Sequence, residues 1–236
     1  MKSAAPETAG SFRGFSPDTF AYLDALAFNN ERAWFEAHRS DYERLVREPA
    51  LALIRDMERV VKGISPHYVA EAKKVGGSLM RVYRDTRFGA DKTPYKTNVG
   101  IQFRHEAHRD VHAPGFYVHL AADGCFIGVG CWRPEPDDLA RIRARIAERP
   151  KDYAKAVEKG AIEGMVPAGD SLIRVPRGFS PEHPLAADIK RKDFLLSRDL
   201  DPDLYLNAAL IDLLAVKFAA TAPYMAFLCA AVGARF

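Results

Sequence analysis

The chain has 236 residues, of which 48% are hydrophobic and 28% are charged, with a formal net charge of +3. This composition is ordinary for a soluble globular protein and excludes the strongly basic balance typical of many nucleic-acid-binding proteins. The length is enough to bury a sizeable core. We expect a flexible N-terminal tail over residues 1–14 and a single domain over residues 15–236.

The first quarter of the chain predicts amphipathic helices. Ser16-Pro17 combines a capping hydroxyl with a proline suited to the first helical position. Asn30 can cap a second helix, on which Trp34, His38 and Tyr42 recur every four residues. We interpret this stripe as packing, although it could instead cover a sheet face and add His38 to a pocket. A third helix ends at Gly63, and its apolar residues are Leu53, Ile54, Met57, Val60 and Val61.

From Ser78 onward the apolar residues alternate with polar ones, which is typical of strands. Two strands are predicted, Ser78–Arg84 and Asn98–Arg104. In the first, Met80 and Val82 should face the core, and Arg81 and Tyr83 should point away from it. In the second, the apolar residues are Val99, Ile101 and Phe103, and the opposite face carries Asn98, Gly100, Gln102 and Arg104.

The segments FYVHLAA and CFIGVGCW flank Asp123-Gly124, which predicts a hairpin with a two-residue turn. That register pairs Leu120 with Ile127 and Val118 with Val129 on an apolar side that should be core. On the other side it pairs His119 with Gly128 and Tyr117 with Gly130. The two glycines would leave a shallow floor walled by Tyr117, His119 and Trp132. Alternatively, a helix or a large neighbouring side chain fills the gap.

The rest of the chain predicts mostly helices. Helices are expected from Pro136 to near Pro150, at Lys151–Glu158, at Pro184–Arg191, from Pro202 onward, and after Pro223. Short strands are expected at Leu172–Val175, inside the loop Val166–Pro184, and at the sheet edge over Asp193–Ser197. The order of elements predicts an α+β fold, an antiparallel β-meander of four or more strands packed with N-terminal and C-terminal helices.

The cysteines and the apolar segments bear on the compartment. Cys125, Cys131 and Cys229 form no CxxC pair, and the simplest interpretation is reduced thiols in a cytoplasmic protein. The N-terminus lacks the apolar core of a signal peptide. The longest charge-free run, Phe218–Ala234, is short and weakly apolar, so we expect a buried helix and no membrane association.

The stretch Gly76–Arg104 carries the strongest functional signal, because five cations are set among aromatic residues against only Asp85 and Asp91. Such clustering favours an anion-binding surface. The predicted ligand-binding residues are Arg81, Arg84, Arg87, Lys92, Tyr95, Lys96, Asn98, Tyr117, His119 and Trp132. Asp85 and His119 are the candidates for a general acid or base, and whether the protein is an enzyme stays open. Alternatively, the loop is solvated and its charges compensate one another locally.

A metal or cofactor is not predicted. His105, His108 and His112, with Glu106 and Asp110, resemble metal ligands superficially, but the run is expected to be a loop and no zinc-type spacing is present. Walker, Rossmann and nucleophile-elbow motifs are absent from the sequence.

Three kinds of partner remain open. An anionic small molecule, phosphorylated or carboxylated, is the predicted one. Nucleic acid binding by the same basic and aromatic surface is a less favoured alternative. In the third, the protein is an interaction or structural module whose cations are paired by acids of the first helices, such as Glu36, Asp41 and Glu43.

Several segments together resemble one known family. They are Phe15–Glu43, RDTRF with DKTPYK inside Arg81–Asn98, GFYVHL at Gly115–Leu120, and GVGCWRPEPDDLARIR at Gly128–Arg143. The chain resembles the bacterial and fungal family called domain of unknown function 2461 over roughly Phe15–Leu214. The resemblance implies a compact, cytosolic α+β domain. It implies no established activity and no catalytic residues.

Overall fold

The computed structural model describes residues 11–87, 90–107 and 112–236. The helices are α1 (Pro17–Phe28), α2 (Arg32–Ala37), α3 (Arg39–Asp41), α4 (Glu48–Ile64), α5 (Pro136–Glu148), α6 (Pro150–Ile162), α7 (Ala186–Ile189), α8 (Leu210–Ala220) and α9 (Ala222–Ala231). A π-helix (Tyr42–Arg47) joins α3 to α4, and a 3₁₀ helix (Pro202–Leu206) precedes α8. The strands are β1 (Tyr68–Val69), β2 (Asn98–His105), β3 (Gly115–Ala121), β4 (Gly124–Cys131), β5 (Val166–Ala168) and β6 (Phe194–Leu200).

The six strands form one sheet in the order β1-β2-β3-β4-β6-β5, and neighbouring strands are antiparallel throughout. Helices precede and follow the central meander, so the predicted α+β fold is confirmed.

The first helices form where the sequence predicts a start. Pro17 opens α1, and the backbone N–H of Ser16 donates to Thr19 Oγ1 at 3.2 Å, which satisfies one N-terminal donor. The Thr19 hydroxyl in turn donates to the carbonyl of Leu45 in the π-helix at 2.7 Å, tying α1 to that segment. Trp34 and His38 stack at 4.2 Å between ring centroids, and Tyr42 is buried. The predicted stripe therefore packs, as the first interpretation had it.

The core lies between one face of the sheet and the later helices. On the central strands the buried apolar residues are Val99, Ile101, Phe103, Phe116, Val118, Leu120, Cys125, Ile127, Val129 and Cys131. Phe218 of α8 meets Phe103 and Phe116 at ring-centroid distances of 6.4 and 5.0 Å, which places α8 on this face. We call it the inner face. The prediction that the apolar side of the hairpin is core is confirmed.

The hairpin register differs from the prediction by two residues. Ala121 pairs with Gly124, so the turn is Ala122-Asp123, and Val118 pairs with Ile127 instead of Val129. The reason is that Gly124 does not take the positive φ that an Asp-Gly hairpin turn needs, and it instead opens β4. Because side chains alternate with a period of two, a two-residue shift leaves every side chain on its predicted face.

Ser78–Arg84 is not a regular strand, contrary to the prediction. Its first part lies along β2, where Leu79 bridges Ile101, and its second part leaves the sheet so that Tyr83 bridges Tyr95. β1 occupies the remaining edge of β2, which leaves too little edge for a second full strand. Leu79, and not Met80, points into the core together with Val82.

The C-terminal half also departs from prediction in detail. Leu172–Val175 is not a strand, and β5 at Val166–Ala168 takes the sheet edge instead. The segment after Pro202 begins as a 3₁₀ helix, and α8 starts only at Leu210. No single described helix is long and apolar enough to cross a membrane. α8 and α9 reach that length and composition only as a pair bent by 53°.

Candidate functional site

The face of the sheet opposite the inner face, which we call the outer face, carries the predicted polar residues. Gly128 lies opposite Tyr117, and a Cβ added there would meet only the Leu196 carbonyl oxygen at 3.8 Å, so the space above it is open. Gly100 lies under Tyr117 and Met80, whose side chains would crowd an added Cβ. Gly130 pairs with Gly115 and not with Tyr117 as predicted. The shallow floor therefore exists at Gly128 and is filled at Gly100.

A polar cluster lies beside that floor. His119 Nδ1 lies 3.1 Å from the Tyr117 hydroxyl and 3.5 Å from Asn98 Nδ2. The imidazole stacks on Phe126 with a centroid distance of 4.4 Å and an interplanar angle of 15°. Phe126 is not among the predicted site residues, although the alternation of side chains along the hairpin puts it on the same face as His119. Its position directly opposite His119 follows only from the true register.

Burial controls the charge of this cluster. Desolvation lowers the pKa of His119, which therefore stays neutral at pH 7, and it raises the pKa of Tyr117 to about 12. Both polar contacts of the imidazole, with Tyr117 and with Asn98, are made by Nδ1, which leaves Nε2 as the other ring nitrogen. Within the described part of the chain, Nε2 has no hydrogen-bond partner and is not a buried atom. It is therefore accessible to a ligand.

Arg81 and Lys96 form a second, cationic pair. The Lys96 backbone N–H donates to the Val82 carbonyl at 2.7 Å, which places Lys96 beside Arg81. Lys96 is partly buried, and its pKa is lowered first by desolvation and then by the charge of Arg81. Neither side chain lies within salt-bridge distance of a carboxylate in residues 11–87, 90–107 and 112–236. The charge of Arg81 contributes to lowering the pKa of Asp85, but that carboxylate is bonded to Arg87. Lys96 lies two residues before Asn98.

The other cations of the basic stretch are already engaged. Arg84 donates to Asp91 Oδ2 at 2.6 Å and to the Thr93 hydroxyl at 2.8 Å. Lys92 donates to the carbonyl of Thr86 at 2.8 Å. The structure does not direct these side chains to the outer face, and they hold the loop in shape. Phe88 and Gly89 of the same loop lie outside the described residues.

Asp85 and Arg87 form a pair within this loop. The Arg87 guanidinium donates to both Asp85 oxygens at 3.0 and 2.7 Å. These bonds hold the pKa of the Asp85 carboxyl well below its usual range. A carboxylate so stabilised is a poor proton carrier near neutral pH, which leaves His119 as the better of the two acid–base candidates.

The acids of the first helices pair within those helices. Glu36 bonds Arg39, Asp41 bonds Arg44, and Glu43 bonds Arg47. In the described part of the chain, they are not the partners of the basic loop that the interaction-module alternative expects.

Two predicted aromatic walls lie away from the cluster. Tyr95 is 1% exposed and stacks on Phe35 of α2 at 4.1 Å between centroids, with its backbone held by Asn30. Trp132 is 46% exposed and lies between the His112 ring at 5.6 Å and the Arg133 guanidinium at 4.9 Å. Of the ten predicted ligand-binding residues, the structure brings together two groups, Asn98 with Tyr117 and His119, and Arg81 with Lys96.

His105, at the end of β2, forms hydrogen bonds with backbone groups. His105 Nε2 bonds the Arg235 carbonyl at 2.7 Å, and its Nδ1 accepts from the Ala107 N–H at 3.1 Å. Among the residues described, no group of three or more His, Cys, Asp or Glu is placed to hold a metal ion. His108 and Asp110 lie outside the described residues.

A family model described as a conserved hypothetical protein (DUF2461) matches residues 18–227. The chain belongs to the DUF2461 family. No curated protein and no solved structure matches it. The match spans the first helices, the whole sheet and the first part of α9, so the group of Asn98, Tyr117 and His119 and the pair Arg81 and Lys96 both lie inside the DUF2461 region.

Proposed function

We propose that this protein binds an anionic small molecule, carrying a carboxylate or a phosphate, on the outer face of the sheet. The supporting observation is the pair of cations Arg81 and Lys96, neither of which forms a salt bridge with a carboxylate among the described residues. Burial of Lys96, and after it the charge of Arg81, lower the pKa of Lys96, so the charged form is held at a cost. A bound anion would remove that cost and return the pKa of Lys96 towards its ordinary value.

The polar cluster supplies directional contacts for the same ligand. His119 offers its ring nitrogen Nε2, and Asn98 offers an amide next to the imidazole. Phe126 and the open floor at Gly128 suit a flat or apolar portion of the molecule. Should the bound molecule be transformed, His119 is the side chain we propose as acid or base, because it is neutral at pH 7 with an accessible ring nitrogen.

We further propose that the protein is cytoplasmic and uses no cofactor. Three buried free thiols suit a reducing compartment. Nucleic acid binding is less well supported than the small-molecule proposal. Arg84, Arg87 and Lys92, which would have to contact phosphates, are engaged within their own loop.

The test is a thermal-shift screen with pyrophosphate and citrate. For a ligand at one hundred times its Kd, the stabilisation is about 2.7 kcal/mol, which for a protein of this size raises Tm by roughly 5–11 °C. We expect the shift to be reduced by more than half in Arg81→Ala and in Lys96→Gln. Arg87→Ala is the matched control, because Arg87 carries the same charge in the same loop but already pairs with Asp85.

Two results would count against the proposal. One is an equal shift in all three variants, which would mean that the anions act on the protein surface in general. The other is a shift lost only in Arg87→Ala, which would locate the binding in the loop and not on the outer face.

A further inference from the structure

A groove on the helical side of the protein has a composition that neither the family match nor the outer face explains. It has a volume of about 320 Å³ and lies between α5, α6 and α9. Its floor is apolar and consists of Ala156, Pro223, Ala226 and Phe227. Its rim carries three cations, Arg145, Lys155 and Lys159, and one acid, Asp152.

The cations of the rim lack internal counterions. Asp152, the one acid of the rim, forms a 3.5 Å ion pair with Arg149, which does not line the groove. Both side chains are mostly exposed. No carboxylate in the described part of the chain is within salt-bridge distance of Arg145, Lys155 or Lys159. Lys155 and Lys159 stand one helical turn apart on α6, a spacing at which like charges repel each other. The rim therefore has a surplus of positive charge that is not neutralised within the described residues.

The guanidinium of Arg145 is oriented so that it can bind a carboxylate. Its guanidinium carbon lies 5.2 Å from the centre of the Phe227 ring, and its Nε is buried without a hydrogen-bond partner. A guanidinium supported on an aromatic ring presents its outer N–H groups in a fixed fork that matches the two oxygens of a carboxylate. The first turn of α9 at Pro223 adds the positive end of a helix dipole to the same groove.

We propose that this groove is a second binding site, for a small carboxylate that carries an apolar chain or ring. The carboxylate lies between Arg145 and the two lysines of α6, and the apolar part lies on Ala226 and Phe227. A groove of this size matches a small ligand better than a protein segment. The groove is separate from the site proposed above, because none of Arg81, Lys96 and His119 lines it.

The experiment is isothermal titration of the full chain with octanoate and with octanamide. The two probes have the same chain and nearly the same shape, but only octanoate is charged at pH 7. We expect octanoate to bind at least about tenfold more tightly, the factor that corresponds to about 1.4 kcal/mol for its charge-assisted contacts. Equal affinities would overturn the proposal, and so would the absence of heat at about 10 mM octanoate.

Variants locate the binding. The double variant Lys155→Gln/Lys159→Gln should lose about tenfold in octanoate affinity. Ala226→Leu should abolish binding of both probes by filling the floor. Lys151→Gln is the matched control, because Lys151 is an exposed lysine of α6 that does not line this groove. Binding that is unchanged in the double variant, or weakened as much by the control, would refute the assignment.

The two proposed sites are distinguished by one further pair of measurements. Lys96→Gln should leave octanoate affinity unchanged, and octanoate should shift the amide resonances of Ala156 and Phe227 in a ¹⁵N correlation spectrum. Resonance shifts confined to Asn98 and His119 would assign the carboxylate to the outer face and overturn the groove proposal.

Discussion

Two glycines of β4 should respond in opposite ways to the same substitution, Gly130→Ala and Gly128→Ala. Gly130 has a φ of +121°, a region that side-chain-bearing residues rarely occupy. A Cβ there would fall 3.1 Å from the carbonyl carbon of Phe194 on β6 and closer still to its oxygen. Gly128 has no positive φ, and its Cβ would meet only the Leu196 oxygen at 3.8 Å.

The expected magnitudes follow from these contacts. At Gly130 the backbone strain costs about 1–3 kcal/mol. Displacing the backbone of β6 costs about 1–3 kcal/mol more, so the free energy of unfolding should fall by about 2–6 kcal/mol. At Gly128 no strain is added, and the alanine reduces the entropy of the unfolded chain, so stability should stay equal or rise by about 0.4–1 kcal/mol.

Urea unfolding followed by circular dichroism measures both variants against the unmodified protein. With a total stability of about 5–15 kcal/mol, the Gly130 variant should show a clearly lower midpoint or fail to fold. Because the Gly128 variant tests the same strand with the same substitution, it controls for a general intolerance of β4. The reasoning would be refuted if Gly130→Ala changed stability by less than about 1 kcal/mol, or if Gly128→Ala cost as much as Gly130→Ala.

Two further predictions concern titratable groups. The pKa of His119 is lowered in the folded state, so the unfolded chain takes up the imidazole proton first as the pH falls. The contribution of His119 to the free energy of unfolding is therefore full above about pH 6.5, the ordinary pKa of histidine. It is lost as the pH falls towards the folded pKa. Urea midpoints at pH 7.5, 6 and 5 should therefore fall less steeply in His119→Gln than in the unmodified protein, and parallel profiles would contradict the assignment. Burial raises the pKa of all three thiols, those of Cys125, Cys131 and Cys229. A thiol-specific disulfide reagent should therefore react with no cysteine of the native protein within minutes and with all three in urea. Rapid release of one equivalent from the native protein would show that a thiol is accessible.

The alternation of side chains was enough to predict both faces of the hairpin, although the pairing was off by two residues. A face depends only on whether a residue is odd or even along the strand, whereas the pairing depends on the turn conformation. Asp123-Gly124 had the composition of a turn centre, yet Gly124 entered β4. Consequently Phe126 was placed on the correct face but not recognised as the residue under His119.

The basic loop shows what sequence could not supply. Charge counting identified five cations and two acids, but the fold decides which cations the acids neutralise. The chain reverses between Tyr83 and Tyr95, and this brings Arg84 to Asp91. Asp85 bonds Arg87 over two residues. Arg81 and Lys96 flank the reversal and form no salt bridge among the described residues. The groove on α6 was missed because its cations lie on α5 and α6, whereas Pro223, Ala226 and Phe227 of its lining come from α9, far along the chain.

On β3, residues that stabilise the core alternate with residues of the proposed binding face. Phe116, Val118 and Leu120 are buried on the inner face, while Tyr117 and His119 between them face outward. Truncating Val118 removes apolar burial and acts through unfolding. Replacing His119 removes a polar group that the core does not use, so it should change ligand affinity more than stability. Neighbouring positions on β3 can therefore distinguish a folding defect from a binding defect, provided that both quantities are measured on each variant.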